Sequence, residues 1–90
     1  MSESKIEKDS IKEAEKLGWW PIKLLPFLIK GLPDRMFIGH GKVVFIEYKA
    51  NENIQPTEKQ KRIHKRFKKH GITVHVAWSV EQTIEILENA

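Results

Sequence analysis

The feature that most constrains this chain is the stretch from Gly31-Leu32-Pro33-Asp34 to Val43-Val44-Phe45-Ile46-Glu47-Tyr48-Lys49. It reads as two antiparallel strands joined by a tight turn, Gly39-His40-Gly41-Lys42, whose glycines can take the positive φ that a hairpin loop demands. Side chains alternate along the second strand, so Val43, Phe45, Glu47 and Lys49 share one face and Val44, Ile46 and Tyr48 the other. With a four-residue loop over 39–42, Ile38 pairs with Val43, and counting back sets Asp34 opposite Glu47. Directly opposed residues hold their Cβ atoms roughly 4.5–5.5 Å apart. Two carboxylates and the ammonium of Lys49 then meet at one end of the hairpin. Like charges buried together are expensive without a partner; a divalent cation would relieve that cost, and Lys49 part of it. A plainer reading stays open at this point, with Asp34 a turn residue after proline and Glu47 and Lys49 a solvent-facing pair. A slip of one residue in register would separate the two acids.

Ninety residues make one domain, 1–90, with a core near the lower limit for independent stability, where oligomerisation is a common remedy. A hydrophobic content of 40% suits a globular fold rather than disorder. The absence of cysteine excludes disulfides and thiolate zinc sites. The N-terminal MSESKIEKD is polar and does not have a signal-peptide pattern. The most apolar run, Trp19 to Ile29, is short, contains Lys23 and two prolines, and cannot span a bilayer, so no membrane partner is expected. The net charge of +4 is unevenly spread. From Lys59 to His70 there are seven Lys or Arg and no acid, which predicts a polyanionic partner; a solvated helix face is the alternative.

Residues 3–17 read as a helix capped by Ser2 or Ser4 and ended by Gly18, with Ile6, Ile11, Ala14 and Leu17 as its apolar stripe. Glu3 and Glu7 lie one turn apart, facing either outward or toward the sheet edge near Asp34. Trp19 to Leu25 reads as a strand that Pro21 and Pro26 confine to an edge. The apolar segment 26–31 is expected, in part, to contact another subunit. After a polar loop, Thr57 and Gln60 form a capping box for a helix that turns Ile63 and Phe67 inward and stops at Gly71. A strand over Ile72 to Trp78 follows. Ser79 then caps a last helix with Val80, Thr83, Ile84 and Leu87 inward. The order is α-β-β-β-α-β-α, an α/β fold in which the final strand leaves a crossover helix and runs parallel to its predecessor. His40, His64, His70 and His75 have no metal-ligand spacing; His64 and His70 are expected on the basic face, and His75 in packing.

This order and these residues resemble the PD-(D/E)XK nuclease superfamily, and within it the virus-type replication-repair nuclease (VRR-NUC) family. The matching residues are Gly31-Leu32-Pro33-Asp34-Arg35, Glu47-Tyr48-Lys49-Ala50 and Gln60, followed by Gly71 before a valine-rich strand and Ser79 before the last helix. The E-x-K triplet alone is weak; the whole set, spread over most of the chain, is far more specific. The resemblance implies a restriction-endonuclease-like mixed β-sheet flanked by helices. It also implies roles. Asp34 and Glu47 would be metal-binding carboxylates, the backbone carbonyl of Tyr48 a third oxygen ligand, and Lys49 the catalytic lysine. Glu3, or else Glu7, would complete the site directly or through water, and Gln60 would support it.

The implied cofactor is Mg²⁺, with Mn²⁺ as a substitute; such an ion takes oxygen ligands and keeps several waters, so few carboxylates suffice. The implied activity is structure-specific endonuclease cleavage of branched DNA, as by a Holliday junction resolvase acting as a homodimer in the cytoplasm of a bacterium or phage-infected host. Lys59, Lys61, Arg62, Lys65, Arg66 and Lys69, with Arg35, would track the phosphate backbone. A flap or single-strand nuclease of the same fold is the nearest competitor. A non-catalytic DNA-binding module and a protein-interaction domain built on Trp19–Ile29 are the readings outside that class.

Overall fold

Each element begins or ends where local chemistry dictates. The computed structural model describes residues 1–25 and 27–90, so the expectation for Pro26 lies outside the described residues. Helix α1 (Glu3–Lys16) starts at Ser2, whose hydroxyl accepts the Lys5 N–H, and Gly18 follows its end at positive φ. Strands β1 (Trp20–Lys23), β2 (Arg35–Gly39) and β3 (Lys42–Tyr48) come next. Helix α2 (Glu58–Lys69) carries the full Thr57–Gln60 capping box, strand β4 (Val74–Ala77) follows, and α3 (Val80–Glu88) is capped by Ser79. The element order is the expected one. The first and last strands are shorter than the apolar runs that predict them, because only part of each run pairs with a neighbour. Among the described residues no helix is long and apolar enough to cross a membrane.

The sheet has the order β1-β2-β3-β4, antiparallel except for β3 with β4, which are parallel as a crossover helix requires. Pro21 sits on the edge strand β1. Ile38 pairs with Val43 as expected, but the loop is two residues, not four. Gly39 pairs with Lys42, and the positive φ values fall on His40 (51°) and Gly41 (73°), as a type I′ hairpin turn needs. Both loop lengths share one register, so the error does not propagate. Gly39 serves a different purpose: a Cβ there would stand 2.9 Å from the Gly18 carbonyl oxygen and 3.1 Å from the Trp19 ring. His40 is held in its left-handed conformation by Nε2, 2.9 Å from the Leu17 carbonyl oxygen, and by an edge contact with Trp19.

The two faces of β3 carry two different layers. Val44, Ile46 and Tyr48 are buried in the main core with Phe37, Ile6, Ala14 and Leu87, under α1 and α3. Tyr48 Oη lies 3.0 Å from Thr83 Oγ1, and that hydroxyl donates to Ser10 Oγ at 3.1 Å, so a buried polar chain ties β3 to both helices. On the opposite face Phe45 meets Phe67 of α2 edge-on, with ring centroids 4.9 Å apart. Of the expected apolar stripe of α1, Leu17 departs from expectation. Leu17 is exposed because α1 has already ended; Trp19, just before β1, joins the core, whereas Trp20, the first residue of β1, is 64% exposed. Phe27 and Leu28 are 77% and 71% exposed.

The approach to Asp34 runs beneath α2. Gly31 has φ 92°, and a Cβ there would lie 2.7 Å from the Lys59 carbonyl oxygen in the first turn of α2. Gly31→Ala therefore combines a strained backbone with a clash and should lower stability by more than about 1 kcal/mol. That is a fall of roughly 4–8 °C in melting temperature per kcal/mol for a chain of this size. Unchanged melting in circular dichroism would contradict this packing.

Candidate active site

Four elements bring polar side chains to one end of the central strands β2 and β3. Asp34 immediately precedes β2, Glu47 and Tyr48 end β3 with Lys49 just beyond, Glu3 and Glu7 occupy the start of α1, and Gln60 and His64 project from α2. The last pair of the hairpin ladder is Arg35 with Ile46, so Asp34 and Glu47 stand opposite each other just beyond it. Asp34 Oδ2 accepts the Tyr48 N–H at 2.7 Å, which extends the hairpin by a side-chain bond. Pro33, fully buried, sets the chain direction into Asp34.

Glu47 is the unusual residue. It is 0% exposed, and Oε1 lies 3.0 Å from Nε2 of His64. Its Oε2 is buried with no hydrogen-bond partner among the described residues, and the nearest cation, Lys49 Nζ, is 3.8 Å away. Lys49, 7% exposed, donates to Gln60 Oε1 at 2.9 Å, and the same Oε1 accepts the Thr57 N–H at 2.9 Å. Gln60 is thus cap and site residue at once.

The electrostatics follow burial. Desolvation raises the Glu47 carboxyl above the ordinary range, although the His64 bond and the Lys49 charge pull the other way and Asp34 adds to the rise. Asp34 is also raised by burial, opposed by the Tyr48 N–H bond and reinforced by Glu7. Glu3 is raised by burial, offset in part by Lys49, with Asp34 and Glu7 adding their repulsion. Glu7 differs: burial raises it, but bonds from Lys23 (2.8 Å) and Arg35 (2.7 Å) outweigh that and hold it below the usual value. Of the two candidate glutamates, Glu7 is committed to an ion-pair cluster. Glu3 has no hydrogen-bonded partner among the described residues.

The predicted cations divide into two groups. Lys59, Lys61, Arg62, Lys65, Arg66 and Lys69 are exposed along α2. Lys61, Arg62 and Lys65, joined by Lys68, line a cleft of about 540 Å³ toward Thr73 and Val74 that also reaches His64. Arg35 instead turns to Glu7, because β2 points it at α1. His64, expected on the basic face, does border that cleft, but its Nε2 turns to Glu47, a contact the sequence reading missed. It stands one helical turn after Gln60, and that i, i+4 spacing on the face bearing Phe67 is the signal that could have found it. His75 is half-buried, and burial lowers its pKa.

A mixed four-stranded sheet with helices on both faces, and an Asp, Glu-x-Lys and Gln cluster at one end of its central strands, is the architecture of a PD-(D/E)XK nuclease-like domain. No family model matches the chain. A solved structure described as "VRR_NUC domain" superposes with a TM-score of 0.85 at 34% identity, covering 96% of this chain and 94% of that one. A phage protein named "Putative nuclease p44", from Acyrthosiphon pisum secondary endosymbiont phage 1, is 37% identical over 65 residues, or 71% of this chain and 69% of its own length. The chain belongs to the VRR-NUC family.

A carboxyl with a raised folded-state pKa contributes stability that is fully present below its unfolded value and is lost as pH rises through the folded one. Once ionised, the desolvated Glu47 is therefore a net burden on the fold. Glu47→Gln, which keeps an acceptor for His64, should melt several degrees higher than wild type at pH 7 in EDTA. The gap should close as pH falls toward 4.5, the ordinary glutamate value. Calorimetry across that range checks both the sign and the window.

Proposed function

We propose that this chain is a divalent-metal-dependent nuclease that hydrolyses phosphodiester bonds in branched DNA, with Mg²⁺ as its cofactor and Mn²⁺ able to replace it. The observation that carries the reading is the buried, unpartnered Oε2 of Glu47. A native interior rarely leaves a carboxylate oxygen without a partner, and each such atom calls for an explanation. A cation beside it is the simplest one. Asp34, Glu47 and the Tyr48 carbonyl would hold the ion. Among the described residues no three His, Asp or Glu side chains surround one point, so the remaining ligands would be water and backbone oxygen. That donor set fits Mg²⁺, which keeps several waters.

The bound ion supplies charge neutralisation at the phosphate and a more acidic water. The chain's own groups do the rest. Gln60 holds the Lys49 ammonium at the edge of the site, where it can donate to the scissile phosphate or orient the attacking water. Glu3 stands at the mouth on the first turn of α1, able to accept from a water. The cations of α2 bind the phosphate backbone on either side. None of them forms a base-reading motif, which suits recognition of DNA shape. The exposed run of Trp20, Phe27 and Leu28 supports a homodimer, and a two-fold axis would present two sites to one four-way junction.

Purified protein with Mg²⁺ should nick a four-way junction in pairs. Lys49→Ala and Asp34→Asn should each lower cleavage by at least about 100-fold while leaving the circular dichroism spectrum unchanged. Absence of cleavage on junction, fork, flap and single-stranded substrates with either metal would overturn the enzyme reading. In EDTA, Arg62→Ala or Lys65→Ala should weaken junction binding and flatten its log–log salt slope by about one. Sedimentation at micromolar concentration should give the dimer mass; monomer alone would remove that part.

A further inference from the structure

His64 belongs to a lysine-rich helix, yet its side chain is largely covered while Lys65, Arg66 and Lys69 around it are exposed. Its Nε2 reaches across the sheet face to Glu47 Oε1 at 3.0 Å. The two oxygens of that carboxylate are therefore inequivalent. One is occupied by an imidazole; the other is buried, unpartnered among the described residues and 3.8 Å from the Lys49 ammonium.

We infer that His64 is a positioning residue for Glu47: it occupies Oε1 so that the carboxylate presents Oε2 alone, as a single-oxygen donor, to the divalent cation. The inference rests on the metal-dependent reading above and adds a residue to it. The physical need is specific. The terminal torsion of a glutamate is broad and roughly two-fold, so packing around the stem does not decide which way the carboxylate plane faces. Lys49 lies close enough that a freely turning carboxylate would swing onto it and form a tight ion pair, closing the place a cation would take. A fixed donor on the opposite oxygen prevents this. Outer partners of ligating groups do the same in metal sites generally, and their loss typically lowers metal affinity or activity by about 10–100-fold.

The support behind His64 is in the fold. Gln60, one turn earlier on α2, fixes Lys49, and Phe67, nearly one turn later, rests on Phe45 of β3. One helix face thus holds the amine, the acid and the height of the helix above the sheet. The Thr57–Gln60 capping box anchors the first turn of that helix.

The test is Mn²⁺ binding to the full chain without DNA, by calorimetry and by Mn²⁺ electron paramagnetic resonance, for wild type, His64→Leu and His64→Gln. Leucine fills the space without a donor; the glutamine amide nitrogen can reach the same oxygen. The leucine variant should bind Mn²⁺ about 10–100-fold more weakly. The glutamine variant should recover most of that loss, and both should bind a four-way junction in EDTA as wild type does. If His64→Leu does not fold, His64→Asn, too short to reach Glu47, replaces it. Wild-type Mn²⁺ affinity in the donor-less variant overturns the inference while leaving the nuclease reading standing. So does a glutamine variant that melts normally yet binds Mn²⁺ as weakly as the donor-less one. A loss of junction binding in EDTA with Mn²⁺ affinity intact would return His64 to the basic face. A wild-type chain that binds no Mn²⁺ overturns this inference and the metal-dependent reading together.

Discussion

Every feature of the site depends on how β2 pairs with β3. The hairpin is pinned at both ends. At the closed end, His40 and Gly41 take positive φ in a two-residue turn that matches the twist of the strands. At the open end, Asp34 accepts the Tyr48 N–H and continues the ladder by one side-chain bond. Between these points the alternation of β3 is committed. A shift of one residue would put Glu47 and Lys49 under α1 and α3 and push Tyr48 and Ile46 out toward α2. The core and the candidate site therefore enforce the same register, because they occupy opposite faces of one strand.

That arrangement places a charge where a folded protein would prefer none. Glu47 is completely covered, and burial opposes its ionised form. The surroundings compensate in part through His64 and Lys49, and leave one oxygen unanswered. The neighbouring acids show the contrast. Glu7 is answered by Lys23 and Arg35, both on Oε2, and is stabilised as an anion. Asp34 and Glu47 are not, and a locally unfavourable balance concentrated in two carboxylates in one place marks a candidate functional site. Gln60 shows how little structure the arrangement needs, since one oxygen both closes the capping box and holds Lys49.

How much of this was legible beforehand depends on the range of the interaction. The caps at Ser2, Thr57 and Ser79, the stop at Gly71 and the register of the hairpin depend on neighbours a few residues apart, and they were readable. The loop length was misjudged because two glycines flank His40 and both suit a turn; only the close approach of Gly39 to Gly18 and Trp19 shows that Gly39 is needed for space. Leu17 fits the helix period but lies past the helix end. Arg35 looked like part of the basic surface, and its partner Glu7 is 28 residues away.

The order of elements, the strand alternation and the clustering of Asp34, Glu47 and Lys49 at one end of a hairpin were determined by the sequence itself, since each follows from local periodicity and turn chemistry. Which helix lies on which face was decided only in three dimensions. The faces of β3 are both apolar enough to be covered, and the choice between them is settled by side-chain packing between elements far apart in the chain. His64 meets Glu47, and Glu7 meets Arg35, for that reason: a period says which residues share a face, but not what that face will touch.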